Sequence, residues 1–119
     1  MDPHEKPDAW QAAHQWALEV YAATERWPRA ERFELTTQVR RAALSVPTNI
    51  AEAWHVWGRA SCGVSSMSPG GSLAELSYLL QFARDRGVLE PQEWAKLHGL
   101  RTQVGRLTRG LLRGMSDPP

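Results

Sequence analysis

Residues 35–52 read LTTQVRRAALSVPTNIAE, and this stretch lays two helical stripes over a segment that carries an internal proline. Val39, Ala42, Ala43, Val46 and Ile50 recur at steps of three and four, the spacing of a helix face turned to a core. Gln38, Arg41, Ser45, Asn49 and Glu52 recur at the same steps on another face. A polar stripe of this kind is most often wet surface. Its sharper meaning is a hydrogen-bonded seam against another helix or subunit. Pro47 removes one backbone donor and crowds the preceding turn, so a helix that runs through it is expected to bend and to leave carbonyls in want of partners.

Three more helices are predicted outward from that stretch. Asp8 is placed to cap a first helix running to about Arg26, with Trp10, Ala13, Ala17 and Val20 inward and Trp27-Pro28 as its terminator. Pro28 then stands at the opening of helix two. Ser72, with Glu75 three residues on, predicts the cap of a third helix that passes through Leu76, Leu79, Leu80 and Ala83 and stops at Gly87. Pro91 opens a fourth, whose Leu97, Leu100, Val104, Leu107 and Leu111 have the seam spacing of a bundle. Residues 116–119 read as a frayed tail.

The block AWHVWGRASCGVSSMSPGG at 53–71 disagrees with its surroundings, because its glycines, serines and Pro69 oppose a stable amphipathic helix. A real loop that shortens both flanking helices accounts for it. So does a compensated shift of reading frame, since codons exist for which one added G near Ala53 and one dropped G near Gly71 restore an amphipathic helix in register with both flanks. With its residues as they stand, the block exposes Trp54, Val56, Trp57 and Met67 as an apolar patch that favours association, or packs Trp54 and Trp57 as a lid over one end of the bundle. His55 and Cys62 lack an orienting third group, so no nucleophile is read there. His4, His14, His55 and His98 form no ligand pair at a spacing of four, and no metal site is read.

Composition bounds the rest. A chain of 119 residues, 42% hydrophobic, is expected to form one domain over 1–119 with a core near the size at which assembly helps stability. The single cysteine excludes an internal disulfide and a cysteine-cluster metal site, and points to a reducing, cytoplasmic location. No apolar run approaches the roughly 20 residues of a membrane span, and the first eight residues are polar, unlike a signal peptide.

The net charge is only +1, yet Lys96, Arg101, Arg106, Arg109 and Arg113 lie on helix four with no acid between Glu93 and Asp117. Asp2, Glu5, Asp8 and Glu19 make the N-terminal region acidic. One reading is mutual pairing between neighbouring helices one and four, with cations favourably near a helix C-terminus. The other is a phosphate-contacting surface, for which the planar arginine fork is well suited. Nucleic acid would then bind through Arg101, Arg106, Arg109 and Arg113, the last three sharing a face at i, i+3 and i+7. Without interleaved aromatics such contact is expected to be independent of base sequence.

The order Tyr21, Trp27-Pro28, Glu31, Leu35, Gln38, Arg40-Arg41-Ala42-Ala43, Ser45-Val46-Pro47, Asn49-Ile50-Ala51-Glu52 and then Gly71-Ser72-Leu73-Ala74-Glu75-Leu76 resembles the bacterial four-helix-bundle family of 23S rRNA intervening sequence proteins. It is also similar to the accessory variability proteins of diversity-generating retroelements. The likeness covers nearly the whole chain outside the block at 53–71. It implies an all-α, up-down antiparallel four-helix bundle, bent in helix two at Pro47, that assembles into a ring of five. It implies no settled biochemical activity. The leading functional reading is a non-enzymatic adaptor, with no cofactor or small-molecule substrate identified, whose partner is RNA, DNA or a reverse-transcriptase-like protein, a partner class that the retroelement likeness suggests. A protein-binding scaffold with no nucleic-acid contact is the alternative. Nothing in the sequence announces a pocket of converging titratable groups.

Overall fold

A computed structural model describes residues 7–59 and 68–116. His4, Cys62, Met67, Asp2, Glu5 and the tail after Ser116 lie outside the described residues, as do the side chains of Val56 and Trp57. The chain forms α1 (Asp8–Thr24), a 3-10 turn (Arg29–Glu31), α2 (Leu35–Arg59), α3 (Pro69–Asp85) and α4 (Pro91–Ser116), with no strand among the described residues. The helices pack in a closed order: α1 on α2, α2 on α3, α3 on α4 and α4 back on α1. None of the described helices is long and apolar enough to cross a membrane.

The five apolar positions of the 35–52 stretch are all buried in the shared core, so the first stripe has the role its spacing requires. α2 is continuous through Pro47, which is itself buried. The ring formally releases the Ala43 carbonyl. On either side of that carbonyl, the Ser45 hydroxyl donates to Ala42 O at 2.7 Å and the Thr48 hydroxyl donates to Leu44 O at 2.7 Å. Short hydroxyl side chains thus supply donors in the turn that proline disturbs.

Three helix boundaries differ from the sequence reading, each for a local reason. Asp8 is already helical, and the cap position belongs to Pro7, whose extended backbone (φ −66°, ψ 157°) leads into the first turn. The Asp8 carboxylate therefore acts on the positive end of the helix rather than as a capping acceptor. Pro28 introduces the 3-10 turn, and α2 begins only at Leu35. α3 starts a turn before Ser72: Pro69 sits at the first helical position, where its missing N–H costs nothing, and the Ser68 hydroxyl oxygen accepts from Gly71 N–H at 3.1 Å. Ser72 is fully buried and donates to Pro69 O at 3.1 Å. Within the block at 53–71, residues 53–59 continue α2 and 69–71 open α3. Trp54 is half-buried and His55 exposed.

The end of α3 follows expectation. Gly87 takes φ +84°, Gly87 N–H donates to Arg84 O at 3.0 Å, and Val88 N–H donates to Ala83 O at 3.0 Å. This is the paired bonding of a Schellman stop, and it turns the chain so that Leu89 is buried.

In α1 the largest buried side chain is Trp16, at 0% exposure, whereas Trp10 is half-buried and stacks on His14 at 4.9 Å. Trp16 Nε1 and Thr108 Oγ1 are buried without a hydrogen-bond partner among the described residues. An orphaned hydroxyl keeps its desolvation penalty without compensation, so Thr108→Val is expected to raise stability by about 1 kcal/mol. Urea unfolding checks this, and a loss of stability would mean that the hydroxyl has a partner.

Candidate nucleic-acid interface on the fourth helix

Helix four meets its neighbours along two flanks, and its cations divide between them. On the α3 flank, Arg101 is half-buried and its Nε–H donates to Ser77 Oγ at 2.8 Å, which leaves both terminal nitrogens of the fork unspent on that bond. Gly105, one turn further, is buried. A Cβ built on it would stand 3.4 Å from Arg109 Nη1, 3.9 Å from Arg101 Nη1 and 3.9 Å from Leu73 Cδ1. Two guanidinium groups therefore converge on one point over a residue with no side chain. Among the described residues neither Arg101 nor Arg109 has a carboxylate partner. Like charges held this close repel unless an anion lies between them.

On the α1 flank, Arg106 lines a cleft of about 420 Å³ with Asp8, Gln15, Gln103, Leu100 and Leu107. Arg113 is exposed near the C-terminal end of the helix. The shared face read from the i, i+3, i+7 spacing thus spreads apart at the level of side chains, with Arg109 reaching toward Arg101 and Arg106 turned to α1.

Pairing between helices one and four also occurs, through other residues. Lys96 Nζ lies 2.9 Å from Glu19 Oε2, and Arg26, in the turn after α1, pairs with Glu93. The hydrogen bond from Lys96 holds the Glu19 carboxyl below its ordinary value of 4.5; desolvation opposes this, while the Lys96 charge and a hydrogen bond from Gln15 add to it. A carboxylate whose folded value is depressed contributes its stability above its unfolded value and loses it as pH falls through the folded one. Lys96→Met is therefore expected to lower stability by less than about 1 kcal/mol at neutral pH, the range of exposed pairs. The difference from the unaltered protein should close on acidification below 4.5 in paired thermal melts.

The polar stripe of α2 is not a buried seam within the chain. Gln38, Arg41 and Glu52 are exposed, Ser45 is half-buried with its hydroxyl turned to Ala42 O, and Asn49 is buried. Gln38 borders an open cleft of about 350 Å³ between α2 and α3, with Glu34, Leu35, Tyr78, Leu79 and Phe82. Tyr78 and Phe82 are 62% and 43% exposed there.

Three side-chain stacks escaped the sequence reading, Trp10 on His14 among them. The Trp94 and His98 rings lie 4.7 Å apart at 17°, with the Arg84 guanidinium 4.2 Å from the Trp94 centroid. The Arg40 guanidinium lies 4.7 Å from the Tyr21 centroid, and its Nε–H donates to Thr24 Oγ1 at 2.7 Å. An aromatic and a histidine four residues apart, as at Trp94 and His98, was the available signal.

No curated protein matches the chain. The family model described as 23S rRNA-intervening sequence protein matches residues 5–110, which include all of α1, α2 and α3 and most of α4. That extent, together with the four packed helices and the residue order of the 35–52 stretch, places the chain in one family: it belongs to the 23S rRNA-intervening sequence proteins.

Proposed function

We propose that the protein is a non-enzymatic adaptor: an up-down antiparallel bundle, bent in α2 at Pro47, that assembles into a homo-oligomeric ring of five in the cytoplasm and binds nucleic acid through the basic surface of α4. The convergence of Arg101 and Arg109 over Gly105, with no carboxylate partner among the described residues, is the observation that carries the binding reading. A phosphate oxygen set between two guanidinium forks relieves their repulsion and gains charge-assisted hydrogen bonds. The family's description names a ribosomal RNA, which makes RNA the first partner to test. Retention of single-stranded RNA near 50 mM salt that weakens about 20-fold by 200 mM is the result expected of three phosphate contacts. No retention at the lower salt would leave a protein partner, such as a reverse-transcriptase-like enzyme, and the scaffold reading.

The ring reading is supported by the α2 stripe, which presents Gln38, Arg41 and Glu52 to the outside, with Gln38 beside exposed Tyr78 and Phe82. A second copy laid on this face would turn the stripe into the seam that its spacing suggests, and would cover the two aromatics. Within one protomer an exposed Arg41→Ala should change stability by no more than about 0.5 kcal/mol, whereas loss of one partner from a desolvated ion pair costs about 3 to 5. The variant is therefore expected to melt earlier than the unaltered protein at high concentration and equally at high dilution. Light scattering that gives a monomer at micromolar concentration would remove the ring.

A further inference from the structure

The groove between α3 and α4 gathers two planar groups onto the ring of Trp94. The Arg84 guanidinium covers Trp94 at 4.2 Å, and the His98 imidazole stacks on Trp94 at 4.7 Å. Trp94 is half-buried against the core, whereas His98 is exposed, so the imidazole is the member of the cluster that meets solvent. Residues 94, 98, 101, 105 and 109 follow one another at steps of three and four and therefore share a stripe of α4. Contacts to α3 fix which way that stripe faces: Arg84 meets Trp94, Ser77 accepts from Arg101, and Leu73 lies against Gly105. The aromatic stack and the paired guanidinium groups are thus neighbours in one groove.

We propose that this groove is a track for one strand of nucleic acid, in which a base extends the Arg84–Trp94–His98 stack on the outer face of His98 and an adjoining phosphate sits over Gly105 between Arg101 and Arg109. This rests on the nucleic-acid reading above and adds a ligand class to it. Stacking accepts any base, because every base has a π-face, but it requires the base to be unstacked from its own neighbours. The groove therefore selects single strands over duplex, whose bases are already stacked on one another. Arg101 is steadied for the role by its bond to Ser77, and the absence of a side chain at residue 105 lets the ends of both forks close in over the buried backbone there.

Fluorescence anisotropy near 50 mM salt, where phosphate contacts are strong, compares a labelled oligothymidine with an abasic strand of equal length and with a duplex of that length. The oligothymidine is expected to bind at least about fivefold more tightly than the abasic strand, the low end of what one stacked base contributes, and to outcompete the duplex. His98→Ala should reduce it to the abasic level and His98→Tyr should restore it, with thermal melts of both variants showing that the fold is kept. Equal affinity for the two strands, or an unchanged affinity in His98→Ala, would overturn the stacking track while leaving the phosphate contacts standing. Absence of binding to every strand would overturn the nucleic-acid reading and this inference together.

Discussion

Truncation of Trp16 to alanine is expected to remove about 3 to 5 kcal/mol of stability, the largest effect of any single substitution in the described core. Trp16 is at 0% exposure and is the largest fully buried side chain, on the face of α1 that also buries Ala9, Ala13, Val20 and Ala23. Its neighbours on that face are mostly alanines, which have no rotamers with which to fill the space left behind. The cavity would therefore stay open, and the lost contacts would add to the lost transfer energy. Domains of this size are stable by only about 5 to 15 kcal/mol, so the variant should be largely unfolded at temperatures the unaltered protein tolerates. Trp10→Ala is the control: this side chain is half-buried and stacked on His14, and its loss should cost clearly less. Chemical unfolding of the two variants checks the order, and a larger loss at Trp10 would contradict the buried position of Trp16.

Replacement of Arg106, Arg109 and Arg113 together with glutamine is expected to abolish retention of RNA at low salt. All three are exposed, so each change should alter stability by no more than about 0.5 kcal/mol, and the fold should persist. Glutamine keeps a polar side chain and removes the cation, so the loss reports charge and not bulk. Arg109→Gln alone tests the convergence over Gly105, because it leaves Arg101 and Arg106 in place; it should account for a larger share of the loss than Arg106→Gln. A variant that lost its oligomeric state along with RNA would show the arginines acting between protomers instead. In a ring, several copies of a weak site would bind one long RNA by avidity, so the loss should be steeper for long RNA than for short.

Much of the helical architecture was legible in the residues, and the 35–52 stretch shows why. Apolar spacing specifies which face of a helix is buried without reference to any other part of the chain, and Val39, Ala42, Ala43, Val46 and Ile50 are all in the core. The same holds for Leu97 and Val104 of α4 and for the glycine that stops α3. The start of α3 was less legible, since Ser68 and Pro69 lie among glycines and serines that together read as a loop. Their individual chemistry as cap and first helical residue outweighed the composition of the block. In α1, Trp10 and Trp16 both fit an apolar face by spacing. The packed helices enclose the second and leave the first half-exposed.

By itself the sequence determined the helices, their buried faces and the family, because periodicity, capping chemistry and residue order are properties of short segments. The tertiary structure decided how the charged side chains are used. A helical stripe assigns a residue to a face, but an arginine carries its charge at the end of a long flexible stem, and where that charge settles depends on what the next helix offers. Ser77 of α3 draws Arg101 into the α3 groove, the missing side chain of buried Gly105 lets Arg109 close in beside it, and Glu19 of α1 takes Lys96. Arg106, one helical turn and more from Arg101 along the same strip of positive charge in the sequence, faces a different neighbour. Such pairings join residues far apart in the chain, across helices whose relative placement is settled only when the shared core closes.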